Sequence, residues 1–333
     1  MKKLKTPLLI LVICVIFCIF FLYYNSPARG GNATSSFTVK QGESVKSIAR
    51  NLKSKGIIRS DFFFVTLTRL TGKARSIKSG HYNLRTDMRN TQVLQVLSMG
   101  IVATEKFTIP EGYTIKQIAA YLEEKGITSS ELFLDACYNK DILSRYRIPF
   151  KSLEGFLFPD TYIVAKDLSA QQLVEVMLRR FFETIEKMSY TPSSEEEFKK
   201  VIIVASLVEK EVKVDYEREL VSAVFYNRLK KGKRLESCAT IQYIIGETKQ
   251  KLLYSDLRIE SPYNTYLNSG LPPGPIANPG YKSLFAAIHP ADVDYLFFVS
   301  KRDGSHHFSS TYDEHLKAIN QYDEADNFIH HMS

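Results

Sequence analysis

The chain has 333 residues, 44% of them hydrophobic and 24% charged, with a formal net charge of +8. That balance excludes a disordered chain, and the length allows two or three domains that each bury a core. The basic residues are interspersed with Asp and Glu, so the excess charge suits anionic headgroups or acidic polymers and argues against nucleic acid.

The first element is an apolar run over residues 8–24, opening at Leu8 and closing at Tyr24, with no charge between Lys5 and Arg29. As a helix it is just long enough for a hydrocarbon core of about 30 Å, with Tyr23 and Tyr24 at the interface. Lys2, Lys3 and Lys5 precede it. The positive-inside rule then leaves residues 1–6 as a cytoplasmic tail, makes 7–24 a transmembrane helix and puts the rest outside the cytoplasm. Gly31-Asn32-Ala33 has the form of a signal-peptidase site, but the apolar core exceeds the roughly 7–15 residues of a leader, which favours an uncleaved anchor. Residues 25–36 are small and polar and read as a tether. Cys14 and Cys18 fall inside the span, which leaves only Cys137 and Cys238, no disulfide framework; two free buried thiols are the favoured expectation, with pairing in an oxidising compartment as the alternative.

An internal repeat follows. FTVKQGESVKSIARNLKSKGIIRS from Phe37 and FTIPEGYTIKQIAAYLEEKGITSS from Phe107 agree at eleven of 24 positions. In each copy a β-branched run leads to a glycine turn (Gly42, Gly112) and an N-cap (Ser44, Thr114). An amphipathic helix comes next, with Val45, Ile48, Ala49 and Leu52 in one copy and Ile115, Ile118, Ala119 and Leu122 in the other. The pattern resembles the LysM class of small glycan-binding modules, without an evident closing strand after Ser60 or Ser130. The copies are assigned to 37–104 and 105–148, and a binding role and a purely structural one stand level.

Further on, a helical pattern over 182–214 breaks at Tyr190-Thr191-Pro192, where Ser193 or Ser194 with Glu196 or Glu197 offers a capped start. VIIVASLVEKEV is apolar nearly all round over 201–208, which predicts a central buried helix whose last turns emerge into something polar. Another helix is expected over 217–229, and strands over 239–245 and 295–300. The segment 253–281, containing SPYNTYLNSGLPPGPIANPG, is a long loop rich in Pro, Gly, Asn and Tyr, with stacking faces and amides of the kind sugar rings use.

Glu209 and Glu211 close the buried helix, two residues apart and so on nearly opposite sides. One of them can face a given cleft, and helix geometry does not choose between them; pairing with Lys210 or Lys213 is the ordinary alternative. His306, His307 and His315 lack the spacing of a zinc site, there is no phosphate-cradling loop, and no GxSxG elbow surrounds Ser206. No metal or cofactor is expected. What remains is carboxylate chemistry beside an aromatic, amide-rich loop.

LEGFLFPDTY (153–162), ASLVEKE (205–211), VFYNRL (224–229), SPYNTY (261–266), GLPPGPIANPG (270–280), AAIHP (286–290) and YLFFV…GSHHFS (295–309) together resemble the endolytic murein transglycosylases, the YceG/MltG-like family. The resemblance implies an α+β protein with an N-terminal transmembrane helix, a LysM-like region and a mixed α/β catalytic domain over 149–322, followed by a tail, 323–333. It implies a single-pass protein of the bacterial cytoplasmic membrane with its catalytic domain outside. The first Glu of ASLVEKE is the family's acid/base, which carries over to Glu209 and leaves Glu211 a supporting role. The implied reaction cuts the MurNAc-GlcNAc bond of nascent peptidoglycan, leaves 1,6-anhydro-MurNAc ends and ends strand elongation. Implied partners are the glycan strands, the membrane through residues 8–24, and penicillin-binding proteins and other wall-synthesis or division proteins.

Substrate-binding candidates are Glu154, Asp160, Asn227, Thr240, Gln242, Tyr243, Tyr263, Asn264, Tyr266 and Asn278. One departure is visible: Cys238-Ala239 precede Thr240 where some members have Asp-Pro, so no acidic role transfers there. The competing expectations are a non-catalytic wall-binding scaffold and a hydrolase pairing Glu209 with Glu154 or Asp160.

Overall fold

In the structure, a computed structural model that describes residues 5–28, 33–166, 168–247, 249 and 252–330, each sequence repeat opens a module of a strand, two or three helices and a returning strand. The side chains of 5–10 and 323–330 lie outside that description. Helix α1 (Lys5–Asn25) leads into the first copy: β1 (Thr34–Val39), α2 (Val45–Ser54), α3 (Asp61–Leu70) and β2 (Gly80–Arg85), followed by α4 (Asn90–Met99). The second copy is β3 (Thr104–Thr108), α5 (Ile115–Glu124), α6 (Ser130–Cys137), a short α7 (Lys140–Arg145) and β4 (Thr161–Ala165).

Local chemistry accounts for the shared shape. Gly42 and Gly112 turn at φ +74° and +73°, a left-handed conformation that disfavours any side chain. Ser44 Oγ then accepts the Ser47 N–H at 3.2 Å, and Thr114 Oγ1 the Gln117 N–H at 3.2 Å, each satisfying an amide that its helix leaves free. Ile48, Ala49 and Leu52 in α2, like Ile115, Ile118, Ala119 and Leu122 in α5, are the buried faces that the spacing predicts.

The missing closing strand is a correction to the sequence reading. β2 pairs antiparallel with β1 from Thr34↔Arg85 to Val39↔Gly80, and β4 pairs with β3. In β2 the alternation that marks a half-buried strand is present, with Tyr82 and Leu84 inside. It returns only after a second helix and a short 3₁₀ turn, outside the repeated segment.

Two compact units result: Met1–Lys106 with Ile163–Leu168, and Phe107–Tyr162 with Ser169–Ser333. The first is built on Phe37, Phe64, Tyr82, Leu94 and neighbouring apolar side chains, with Phe21 and Tyr24 of α1 packed against them. The second holds most of the second repeat together with α8 (Ala170–Lys187), α9 (Glu195–Glu211), α10 (Arg218–Lys230), α11 (Cys238–Ile245), α12 (Tyr281–Ile288), β5 (Phe297–Ser300), β6 (His306–Ser309) and α13 (Tyr312–His330). α9 is its axis: α10, α11 and α12 all pack on it, which is why every residue from Val201 to Val208 is buried. Each large side chain there contributes about 1.5–3 kcal/mol of burial.

Several boundaries move. The tether of 25–36 is shorter, because Thr34 already pairs in β1. The division at 148/149 does not follow the contacts, which join 107–148 to the later helices. The tail of 323–333 opens as helix, since α13 runs to His330. Residues 239–245, expected as a strand, form α11: Gly246 caps it at φ +83°, and Ala239, Thr240 and Ile241 face inward, so packing overrides β-propensity. Cys137 is buried and free, but Cys238 is exposed, its Sγ 3.0 Å from the Tyr266 hydroxyl.

Among the described residues no helix is long and apolar enough to cross a membrane. The span predicted over 7–24 begins among side chains outside the description, as does most of the tail predicted over 1–6.

Candidate active site

The loop 253–281 ends in a buried segment, 274–280, that lies along α9. Ser206 Oγ anchors it by accepting the Ile276 N–H at 3.1 Å while donating to the Ile203 carbonyl, so this serine is structural. The segment ends at Gly280, the N-cap of α12, whose N–H donates to Glu209 Oε2 at 2.8 Å. A carboxylate at a helix N-terminus is favoured by the free amides and dipole there.

Arg218, the first residue of α10, approaches the other oxygen, with Nη1 3.4 Å from Glu209 Oε1. The side chains are 6% and 8% exposed, so this ion pair is largely shielded from water. Breaking such a pair leaves an uncompensated charge, which costs more than making the pair gains. Arg218 is itself held, by Ser283 Oγ of α12 and by Asp215 Oδ1 at 3.2 Å, and Lys282 pairs with Asp215 from outside.

Glu211 points elsewhere, as its spacing requires. It accepts from Ser237 Oγ and, at 3.4 Å, from the Ala239 N–H, and so holds the start of α11. Burial raises its carboxyl above the usual carboxylate range.

The glycine turn of the second repeat reaches the same place. A Cβ on Gly112 would meet Glu209 Cγ at 3.5 Å, and one on Gly280 would fall 2.0 Å from Glu111 Oε1. Glu111 is therefore seated against Gly280, on the same residue that serves Glu209. Burial raises its carboxyl, and the charge of Glu209 adds to the effect.

Lys210, the residue after Glu209, lines a cavity of about 510 Å³ together with Glu154, Gln242, Tyr243, Tyr263 and Lys116, among others; Glu209, Glu111 and Arg218 are not among its lining residues. The Tyr243 and Tyr263 rings pack at 5.0 Å. Glu154 is 3% exposed and accepts the Ile115 N–H at 3.0 Å and Asn278 Nδ2 at 3.1 Å. Desolvation nevertheless pushes its carboxyl up to about 8.

Four of the ten binding candidates, Glu154, Gln242, Tyr243 and Tyr263, thus share one cavity wall. The other six lie outside that cavity lining and make contacts within the chain. Asn278 is fully buried: its side-chain oxygen accepts from Gly155 and Leu157, its amide donates to Tyr113 and Glu154, and no polar atom is left for a ligand. Asn264 pins its own loop through the Leu257 and Ile259 carbonyls, and Thr240 bonds Ser237 and Thr265 inside. Asn227 ties α10 to the Val293 and Tyr295 carbonyls. Asp160 pairs with Arg180 at 2.5 Å, and Tyr266 sits against Cys238. Glu111, Arg218 and Gly280 were not singled out. The one signal for Glu111 was that the second repeat has an acid where the first has Gln41. Among the described residues no group of three His, Cys, Asp or Glu side chains could hold a metal ion.

Glu209 thus stands between a helix N-terminus and a buried arginine, an arrangement that an acid/base site for a polar substrate could use. Comparison with known proteins shows the family: the model of the YceG-like family matches residues 37–321, and the chain belongs to that family. It is 32% identical over 311 residues to a Bacillus subtilis protein named endolytic murein transglycosylase, covering 88% of this chain and 86% of that one. A Streptococcus pneumoniae protein of the same name is 28% identical over 325 residues, and the chain spans 57% of its length. The crystal structure of a YceG-like protein from Listeria monocytogenes superposes with a TM-score of 0.58 at 31% identity, covering 86% of this chain and all of that one.

Proposed function

We propose that the chain is a peptidoglycan lytic transglycosylase in which Glu209 is the catalytic acid/base. The observation that carries this is the placement of Glu209 between the Gly280 N–H and Arg218, at the end of a buried helix in a chain whose relatives bear that activity in their names. The bond cut is the MurNAc-GlcNAc link of the glycan strand. A proton goes to the oxygen leaving carbon 1, and the same sugar's 6-hydroxyl, giving up its proton, closes onto carbon 1 as a 1,6-anhydro end. The nucleophile belongs to the substrate, so orientation of the ring replaces activation of water. Proton transfer of this kind contributes about 10²–10⁴ in rate.

The cavity lined by Lys210, the residue after Glu209, takes the sugar, with Tyr243 and Tyr263 as its stacking faces. The hydrolase alternative is weakened because Glu154 is committed to a backbone amide and Asp160 to Arg180. Residues 8–24 hold the enzyme at the cytoplasmic membrane, catalytic part outside, where it acts on nascent strands and ends their elongation close to the synthases that make them. In support, the described part of α1 exposes Leu11, Ile13, Ile16, Phe17, Ile19 and Leu22, an apolar surface that water does not favour.

Digestion of purified, uncrosslinked glycan strands, with mass spectrometry of the fragments, tests the reading. Internal cuts with anhydro ends, abolished by Glu209→Gln without loss of fold, are expected. Full activity of Glu209→Gln would overturn it.

A further inference from the structure

Glu209 has two protons to move, one to the leaving oxygen and one from the 6-hydroxyl, yet both of its oxygens face donors: the Gly280 N–H and the Arg218 guanidinium. It is set to accept. Glu111 is set differently. It is exposed, and among the described residues it accepts no hydrogen bond and joins no ion pair. Its carboxyl nonetheless lies against the Cα of Gly280, where a Cβ would be 2.0 Å from Oε1, so the two carboxyl groups meet on one residue. The turn that carries it is laid on the stem of Glu209, with the Gly112 Cα facing Glu209 Cγ.

We propose that Glu111 is a second catalytic residue of this site, the acid that protonates the leaving oxygen, while Glu209 acts as the base. The proposal rests on the transglycosylase reading and divides its two proton transfers between two groups. The bond from carbon 1 to the bridging oxygen breaks with its electron pair going to oxygen, which takes the Glu111 proton. Oxygen 6 of the same sugar bonds to carbon 1, and its proton passes to Glu209. The products leave Glu111 ionised and Glu209 protonated, and one proton returning between these neighbours restores the start.

The charges around Glu111 fit an acid. Partial burial, then Glu209 and Asp215, favour its protonated form, and Arg218 and Lys282 oppose them. Glu111 is open to a ligand and Glu209 is covered, so a strand in the cleft meets the acid first.

The test uses two substrates with the full chain: a natural glycan strand, and a MurNAc-containing fragment with a nitrophenolate leaving group, which departs without protonation. Glu111→Gln should cut the natural strand at least about 10²-fold more slowly while keeping most of its activity on the activated fragment; Glu209→Gln should lose both. The alkaline fall in wild-type activity on natural strands should also be missing on the activated fragment. Equal losses of Glu111→Gln on both substrates, or none on either, would overturn the assignment, with thermal melting as the check on folding. Reducing ends in place of anhydro ends from the wild type would instead sink the transglycosylase reading itself, a failure distinguishable from that of Glu111 alone.

Discussion

The two repeats agree at eleven of 24 positions and share the same strand, turn and capped helix, but their turns have different occupations. In the first, Glu43 closes on its own module, accepting from the Lys40 N–H, Ser47 Oγ and Asn51 Nδ2. In the second, little in the turn is self-contained. The Gly112 N–H donates to Asn278, Tyr113 accepts from Asn278, Ile115 donates to Glu154, and Gly112 faces Glu209. The side chain between strand and turn is Gln41 in one copy and Glu111 in the other. The same module is thus tied into its surroundings differently when its turn and helix amides are taken up by a neighbouring loop.

Ways to break that contrast follow from it. Glu209→Gln should remove glycan cleavage by at least about 10²-fold with the fold retained by circular dichroism, while the melting temperature falls because Arg218 loses a buried charge partner. Gly280→Ala should cost about 10-fold to 10²-fold in turnover, since its Cβ would strike Glu111 Oε1 and misplace it. Its own backbone is ordinary at φ −78°, so circular dichroism should show an intact fold. Gly112→Ala and Gly42→Ala pay the same left-handed strain, about 1–2 kcal/mol in denaturant unfolding. Activity should fall only for Gly112→Ala, because its strained turn packs on the Glu209 side chain at ordinary contact distance whereas Gly42 has open space about it. Equal activity of the two variants would erase the contrast.

A separate effect, on stability rather than turnover, concerns Glu154. Its carboxyl is pushed up to about 8 in the folded chain and lies near 4.5 when free, so the folded state keeps a proton that the unfolded state has released. Stability is thus full below the unfolded value and is lost as pH rises from about 4.5 to about 8, by up to about 1.4 kcal/mol per pH unit. Glu154→Gln should flatten the melting temperature over that range. A slope unchanged by the substitution would mean that the buried carboxyl does not titrate with folding.

Much of the frame was legible because local chemistry wrote it. The caps at Ser44, Thr114 and Ser194, the glycine turns and the all-round apolar run of 201–208 each follow from a few adjacent residues. Other features depend on residues far apart in the chain. Nothing near Asn278 or Asn264 in sequence says that every polar atom will be used internally, so both resembled ligands for sugar. α11 looked like a strand until α9 gave its inner face a partner. Arg218 was hidden among ordinary surface cations, and Glu111 stood almost a hundred residues before the glutamate it meets.

The central claim, that the substrate supplies its own nucleophile at Glu209, is tested most directly by digesting glycan strands in water enriched with oxygen-18. A transglycosylase closes the ring within the sugar, so the new MurNAc ends should carry no label and weigh one water less than reducing ends. One labelled oxygen at each new end would show that water attacked, and would contradict the account.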